Sequence, residues 1–150
     1  MLIIKKGNIL EAMENLICHQ VNCQGIMGGG LALQIANKYP ICETNYKTFC
    51  SYDFNDYDKL KGKHCLVEIS EDKYIANCFT QKPNFDTDYE ALKACFSNLK
   101  DNILKINNYK PSICIPYKYG CGIANGSWEQ VESILIDIFT DVDIVIYKLD

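Results

Sequence analysis

The chain has 150 residues, 48% of them hydrophobic, and a formal net charge of −4. That size and apolar fraction suit one domain around one core and exclude an intrinsically disordered chain. The acidic balance excludes the basic footprint of a stable nucleic-acid binder, and all fifteen basic residues are lysines, so no guanidinium fork is present to clamp a phosphate.

Short β-rich runs alternate with helical patterns along the chain. LIIKK (2–6) and NLICHQV (15–21) read as strands, the second nearly continuous and therefore buried. Leu31, Ala32, Ile35, Ala36 and Tyr39 then recur at helical spacing, and Pro40 ends that helix. A second helical segment is expected over 41–52. CLVEI (65–69) and YIANCF (74–79) flank the polar turn SEDK and predict an antiparallel hairpin. Thr87-Asp88-Tyr89-Glu90 has the form of a capping box, followed by Leu92, Cys95, Phe96, Leu99, Ile103 and Ile106 as the apolar face of a long helix. SICIP (112–116) reads as a buried strand. Ser127-Trp128-Glu129-Gln130 is a second capping box, with Val131, Ile134, Leu135 and Ile138 as its helix face, and DIVIY (143–147) is the last strand. This alternation predicts a layered α/β domain with a mostly parallel or mixed sheet.

The nine cysteines are odd in number and include no C-x-x-C pair. Cys18, Cys65, Cys78, Cys95 and Cys114 fall in apolar runs, and the opening MLIIKKGN carries no signal-peptide pattern. The expectation is reduced thiols in a cytoplasmic protein with no zinc site. Residues 15–37 contain no Asp, Glu, Lys or Arg, yet their amides, histidine and four glycines argue against a membrane span.

Two segments share one unusual composition. NCQGIMGGG (22–30) and YGCGIANGSW (119–128) are glycine-rich, contain no charged residue, and each lies between a buried strand and a helix. Loops after parallel strands line the carboxyl edge of an α/β sheet, where ligands bind. Glycines let the backbone approach a ligand, and helix N-termini offer amide donors to an anion. A pair of such loops suits a diphosphate. Neither matches G-x-x-x-x-G-K-[ST], which disfavours a P-loop, and neither fits G-x-G-x-x-G cleanly, which leaves a dinucleotide fold as a weak alternative.

The sequence resembles the macro domain, the ADP-ribose-binding module. KKGNILEA (5–12) is similar to the family's opening strand and turn, with Asn8 where most members carry Asp. HQVNCQGIMGGGLALQI (19–35) resembles its V-N-x-x-N…G-x-G loop, and IPYKYGCGIANGSW (115–128) its second glycine loop. The pattern M-G-G-G-L-A with G-C-G…W looks most like the branch of terminal ADP-ribose glycohydrolases, DNA-ADP-ribose hydrolase antitoxins and ADP-ribose-1″-phosphate processing enzymes. The resemblance implies a three-layer α/β/α fold with a central mixed six-stranded sheet, spanning 1–150 as one domain.

It also implies a site. Adenine would sit near Asn8 and Ile9. The diphosphate would lie between Gly28, Gly29, Gly30 and Leu31 on one side and Tyr119, Gly120, Cys121, Gly122 and Ile123 on the other. The distal ribose would lie by Asn22, Gly29 and Ala124. Ligands would be ADP-ribose or an ADP-ribosylated protein or nucleic acid, with no cofactor and no metal, no stable nucleic-acid binding, no membrane association, and a monomeric state. The lysine-, asparagine- and isoleucine-rich, arginine-free composition has a bacterial look.

The candidates for chemistry are Asn22, His19 and Lys82. In the glycohydrolase branch a lysine follows a threonine after the fourth strand; here Gln81 follows Thr80 and Lys82 comes one residue later. Asn22 can orient a ribose hydroxyl or a water, and His19 has a pKa suited to proton transfer. Asp86 and Asp88 read mainly as helix caps, and Cys23 and Cys121 as thiols without an evident base. Two functions compete: a hydrolase of ADP-ribosyl derivatives, and a reader that binds them without chemistry. A different nucleotide-binding α/β protein is the third reading.

Overall fold

The computed structural model describes residues 1–104, 111–122 and 124–149. Six strands form one sheet: β1 (Leu2–Lys6), β2 (Leu16–Val21), β3 (His64–Ser70), β4 (Lys73–Phe79), β5 (Ile113–Pro116) and β6 (Ile144–Lys148), in the order β1-β6-β5-β2-β4-β3. All neighbouring pairs are parallel except β3 with β4, which form the expected hairpin at one edge. The sheet is therefore mixed, and β5 and β2 lie at its centre.

Helices cover both faces. On one side α1 (Gly30–Lys38), α2 (Pro40–Tyr52) and α3 (Tyr57–Leu60) pack over Ile17, Val21, Ile75 and Phe79 through Ile35, Tyr46 and Leu60. On the other, α4 (Tyr89–Leu104) and α5 (Trp128–Ile138) press Leu92, Phe96, Leu99 and Leu135 onto Cys18, Cys78, Ile115 and Ile146. Each fully buried aliphatic or aromatic side chain of this kind contributes about 1.5–3 kcal/mol. β2 is buried on both faces, as its unbroken apolar run requires. All nine cysteines are free thiols, eight of them buried.

Several local expectations need correction. Pro40 does not end α1 directly; α1 stops at Lys38, Tyr39 is its C-cap, and Pro40 opens α2, where its missing N–H costs nothing. Thr87 is not a helix cap. Asp88 is the cap, accepting from Ala91 N–H at 3.1 Å, because Thr87 is pulled into the second glycine loop. Ser127 occupies the cap position of α5 but makes no side-chain cap bond. The short α3, with Asp56 accepting from Asp58 N–H at 2.9 Å, and a 3-10 turn at Ile9–Glu11 carry too few residues to show a period. Ile106, expected on the face of α4, lies outside the described residues. No described helix is long and apolar enough to cross a membrane.

Candidate functional site

β2 and β5 are parallel neighbours, so the loops that follow them leave from one edge of the sheet. Residues 22–29 lead into α1, and residues 117–127 lead into α5. Three cavities of about 470, 430 and 350 Å³ open along this edge. The 470 and 350 Å³ cavities share Leu31, Pro116, Tyr117 and Lys118, and the 430 and 350 Å³ cavities share Gln20, Gly29, Ala32 and Gln81. They make one cleft running from Asn8 at one end to Asn22 at the other, flanked at its middle by the glycine loops. A further cavity of about 330 Å³ lies at the opposite edge, by Ser112, Ile113 and Asp143, far along the strands from either loop.

The loop glycines do two different jobs. Gly120 has φ +71°, and a Cβ there would lie 2.6 Å from Thr87 Oγ1 and 2.8 Å from Gln20 Oε1. A Cβ at Gly126 would lie 2.4 Å from the Gly120 carbonyl oxygen. These two are needed for the loop to close on itself. A Cβ at Gly30 or Gly122 would meet nothing within 4 Å, and both residues line the middle cavity. These leave space. The N-cap of α1 is Gly29, which has no side chain to cap the helix, and the first turn carries no acidic residue. Its first N–H groups and the positive end of its dipole are therefore available to an anion.

The second loop is held from beneath. Thr87 donates its hydroxyl to Gly120 O at 2.6 Å and its N–H to Ala124 O at 3.1 Å. Gly126 N–H closes onto Gly120 O at 2.8 Å. Thr80 donates to Gln20 Oε1 at 3.0 Å and lies 2.6 Å from the Tyr119 hydroxyl. Thus β2, β4 and the loop after β5 share one hydrogen-bond network.

Asn22 lies at the far end of the cleft and lines it. Its Nδ2 donates to Ile26 O at 2.9 Å, and its Oδ1 accepts from Gln24 N–H at 3.0 Å and from the Tyr46 hydroxyl at 2.6 Å. Gly28, Gly29, Gly30, Leu31, Gly120, Gly122 and Ala124 all line one or another of the contiguous cavities; Ile123 lies outside the described residues. Asn8 and Ile9 line the other end. Tyr119 borders the middle cavity, but its side chain is buried, with the hydroxyl on Thr80 and the ring edge-on to Phe96 at 5.6 Å. Cys121, half-buried, lies within the second loop but lines none of the three cavities, unlike its expected place at the diphosphate.

His19 is 1% exposed and donates Nε2–H to Asn77 Oδ1, leaving Nδ1 without a partner among the described residues. Burial pushes its pKa down despite the Asn77 bond. Lys82 is exposed and lines none of the three cavities; its N–H donates to Asp86 O at 2.7 Å in a tight turn. Burial works to raise the Asp88 pKa, but hydrogen bonds from Tyr57 and Ala91 N–H and the charge of Lys82 outweigh it and hold the carboxyl below its ordinary range. Burial pushes the Cys23 thiol up to about 12 and raises Cys121 as well, so neither is an activated thiolate. Among the described residues no three His, Cys, Asp or Glu side chains gather into a metal site.

Sequence reasoning missed several residues here. Gln81 lines two of the three cavities and Phe85 one. The signal for Gln81 was available: Thr80 is turned into the buried network, so the next side chain points the other way, toward the cleft. Phe85, with φ +72°, had no such signal. Tyr46 and Thr87 act through long-range hydrogen bonds that no local pattern announces.

A doubly covered mixed sheet with a glycine-walled cleft at its carboxyl edge defines a three-layer α/β domain with an open site at the loop edge. No family model matches the chain. The macrodomain of Mycobacterium tuberculosis DarG superposes with a TM-score of 0.83 at 31% identity, over 98% of this chain and 97% of that one. This chain belongs to the macrodomain family. A Mycobacterium tuberculosis protein named DNA ADP-ribosyl glycohydrolase is 31% identical over 150 residues, 94% of this chain but 40% of that protein. The chain thus spans less than half of that relative. A Candida glabrata protein named ADP-ribose 1″-phosphate phosphatase is 28% identical, over 96% of each.

Proposed function

We propose that the cleft binds ADP-ribose and that the protein hydrolyses ADP-ribosyl derivatives. It would release ADP-ribose from a protein or nucleic-acid acceptor, or phosphate from ADP-ribose-1″-phosphate. The observation that carries this reading is the middle of the cleft. Two uncharged glycine loops face it, Gly30 and Gly122 leave it open, and the uncapped N-terminus of α1 ends in it. Main-chain donors there can hold a diphosphate in a chain without arginine. The names of the two relatives support hydrolysis as the chemistry.

Within this reading, the base lies by Asn8 and Ile9, the diphosphate by residues 28–31 and 120–124, and the distal ribose by Asn22 and Gln81. Asn22 and Gln81 are the groups that would orient a water or hydroxyl at the anomeric centre. His19 supports β2 from the buried wall of the middle cavity, and Lys82 steadies Asp88 rather than touching the ligand. We read residues 1–150 as one monomeric domain acting in a bacterial cytoplasm without holding nucleic acid stably, consistent with its net charge of −4.

A reader function is the second reading. It is favoured by one observation: among the described residues, no lysine and no activated thiol lines the cleft at its Asn22 end. Calorimetry with ADP-ribose tests binding. Incubation with ADP-ribosylated DNA, ADP-ribosylated protein and ADP-ribose-1″-phosphate tests turnover. Hydrolysis of at least one substrate is expected. Tight binding with all three substrates intact selects the reader, and absence of binding removes both.

A further inference from the structure

The Asn8 end of the cleft carries positive charge that nothing around it balances. Lys118 and Lys148 both line the 470 Å³ cavity. Their ammonium groups lie 5.7 and 4.8 Å from the centre of the Tyr117 ring, which lines the same space. Neither makes an ion pair among the described residues. No Asp or Glu is among the described residues that line this cavity or the middle one. Carboxylates outnumber lysines nineteen to fifteen in the whole chain, so their exclusion here is a local property.

The Tyr117 ring does not neutralise that charge. A ring face attracts an ammonium weakly, and two like charges at one ring repel each other. The backbone that carries both lysines is fixed. Tyr117 N–H donates to Tyr147 O at 2.8 Å, Tyr119 N–H to Pro116 O at 3.1 Å and Cys121 N–H to Lys118 O at 2.9 Å. Lys118 is exposed and Lys148 half-buried. Two ammonium groups held at one ring, with no carboxylate beside them, suit a phosphate dianion, which each can meet as a point charge with donors to spare.

Position says which phosphate. Lys118 lines both the 470 Å³ cavity and the middle one. With the base in the first and the diphosphate in the second, Lys118 stands beside the ribose that joins them, and Lys148 lies on its base side. The diphosphate has the main-chain donors of the glycine loops and does not need either lysine. A basic side chain beside an adenosine ribose is the feature that accommodates a 2′-phosphate. We propose that this cleft takes a nucleotide with an added phosphate on its adenosine ribose, 2′-phospho-ADP-ribose or its derivatives, in preference to ADP-ribose, with Lys118 and Lys148 holding that phosphate. This inference rests on the reading of the cleft as an ADP-ribose site and adds one subsite to it.

The test is calorimetry with two ligands, ADP-ribose and 2′-phospho-ADP-ribose, at low and high salt. It is run on the wild type and on a double variant, Lys118→Gln with Lys148→Gln, whose melting temperature confirms that it is folded. The wild type is expected to bind the phosphorylated ligand about tenfold tighter at low salt, and the margin is expected to shrink at high salt. The double variant is expected to bind the two ligands within about threefold of each other. Equal affinities in the wild type, a preference for ADP-ribose, or a margin that survives either high salt or the double substitution overturns the inference while the reading of the cleft stands. If neither ligand binds the wild type, the reading and the inference fail together.

Discussion

The Tyr46 hydroxyl, carried on α2 and fully buried, donates to Asn22 Oδ1 at 2.6 Å and lies 2.8 Å from the Asn22 carbonyl oxygen. The Tyr46 hydroxyl oxygen itself accepts from Gly25 N–H and Ile26 N–H, each at 3.1 Å. One hydroxyl thereby saturates its single donor and both lone pairs on one loop. Gly25 has φ +79°, and the turn it makes presents two amides to one acceptor. Burial pushes the Tyr46 pKa up, so the hydroxyl keeps its proton and its role as donor at any ordinary pH. Tyr46→Phe keeps the ring, which stacks on Phe79 at 5.8 Å, and removes only the oxygen. Two loop N–H groups and the Asn22 carboxamide lose a partner, at a cost of about 1–3 kcal/mol. Thermal unfolding should show that loss, and calorimetry should show ADP-ribose affinity falling several-fold. Unchanged affinity in a stable variant would mean that Asn22 is positioned by something else.

The glycines of the second loop separate fold from function. Gly126→Ala drives a methyl to within 2.4 Å of a carbonyl oxygen and is expected to destabilise by about 1–3 kcal/mol. Gly122→Ala has open space before it and should change stability by less than about 0.5 kcal/mol. The same methyl fills part of the middle cavity, so Gly122→Ala should weaken ADP-ribose binding about tenfold or more. Denaturant melts and titrations on both variants check this. A Gly122→Ala protein that binds like the wild type would place the diphosphate elsewhere.

The elements legible in the sequence were those whose evidence is local. Leu92, Cys95, Phe96, Leu99 and Ile103 repeat at helical spacing, and all are buried on α4. The unbroken apolar run of β2 announced a strand covered on both faces. Thr87 was misread because its partner, Gly120, lies 33 residues away; a threonine beside an Asp-Tyr-Glu sequence looks like a cap until the loop that needs it is folded against it. The two glycine loops were legible as a pair, since composition and their place between strand and helix are sequence properties. Which glycines are packed and which border space was not, because Gly126 is crowded by Gly120 and Gly122 by nothing. The bond from Leu10 N–H to the Asn8 side-chain oxygen was likewise invisible, since it depends on the turn that Asn8 caps.

Stability should fall in two stages as pH drops. Burial lowers the pKa of His19 and of His64 from 6.5. Both are neutral in the folded state where the unfolded chain takes up protons. Their contribution is complete above about 6.5 and declines as pH falls below it, by at most about 1.4 kcal/mol per pH unit for each proton. Glu14 and Asp88 act lower. Burial pushes each carboxyl up, but the Tyr147 hydroxyl and Lys5 at Glu14, and the Tyr57 hydroxyl with Ala91 N–H and Lys82 at Asp88, outweigh it. Their contribution is present above the ordinary carboxylate values of 4.5 and 3.8 and is lost as pH falls through the folded ones. Urea midpoints measured from pH 8 to 3 should show both stages. His64→Gln, at a half-buried strand start, should reduce the first stage and leave the second. A midpoint constant between pH 8 and 5 would contradict the buried neutral histidines.

Gln81 faces the cleft and its side chain makes no hydrogen bond among the described residues. A free amide beside Asn22 is therefore spare for the fold and available to a ligand. Its backbone is fixed by the bridge between Gln81 and Thr87, so a change of side chain leaves the turn in place. Gln81→Ala should keep stability within about 0.5 kcal/mol of the wild type. If the amide orients the distal ribose, turnover of the preferred ADP-ribosyl substrate falls further than ADP-ribose affinity does, which separates positioning from plain binding. Gln81→Glu provides the control: it retains an acceptor but adds a charge near the anionic ligand, and affinity should drop while the melting temperature holds. Equal turnover by the wild type and Gln81→Ala would take Gln81 out of the chemistry and leave Asn22 as the orienting group at that end of the cleft.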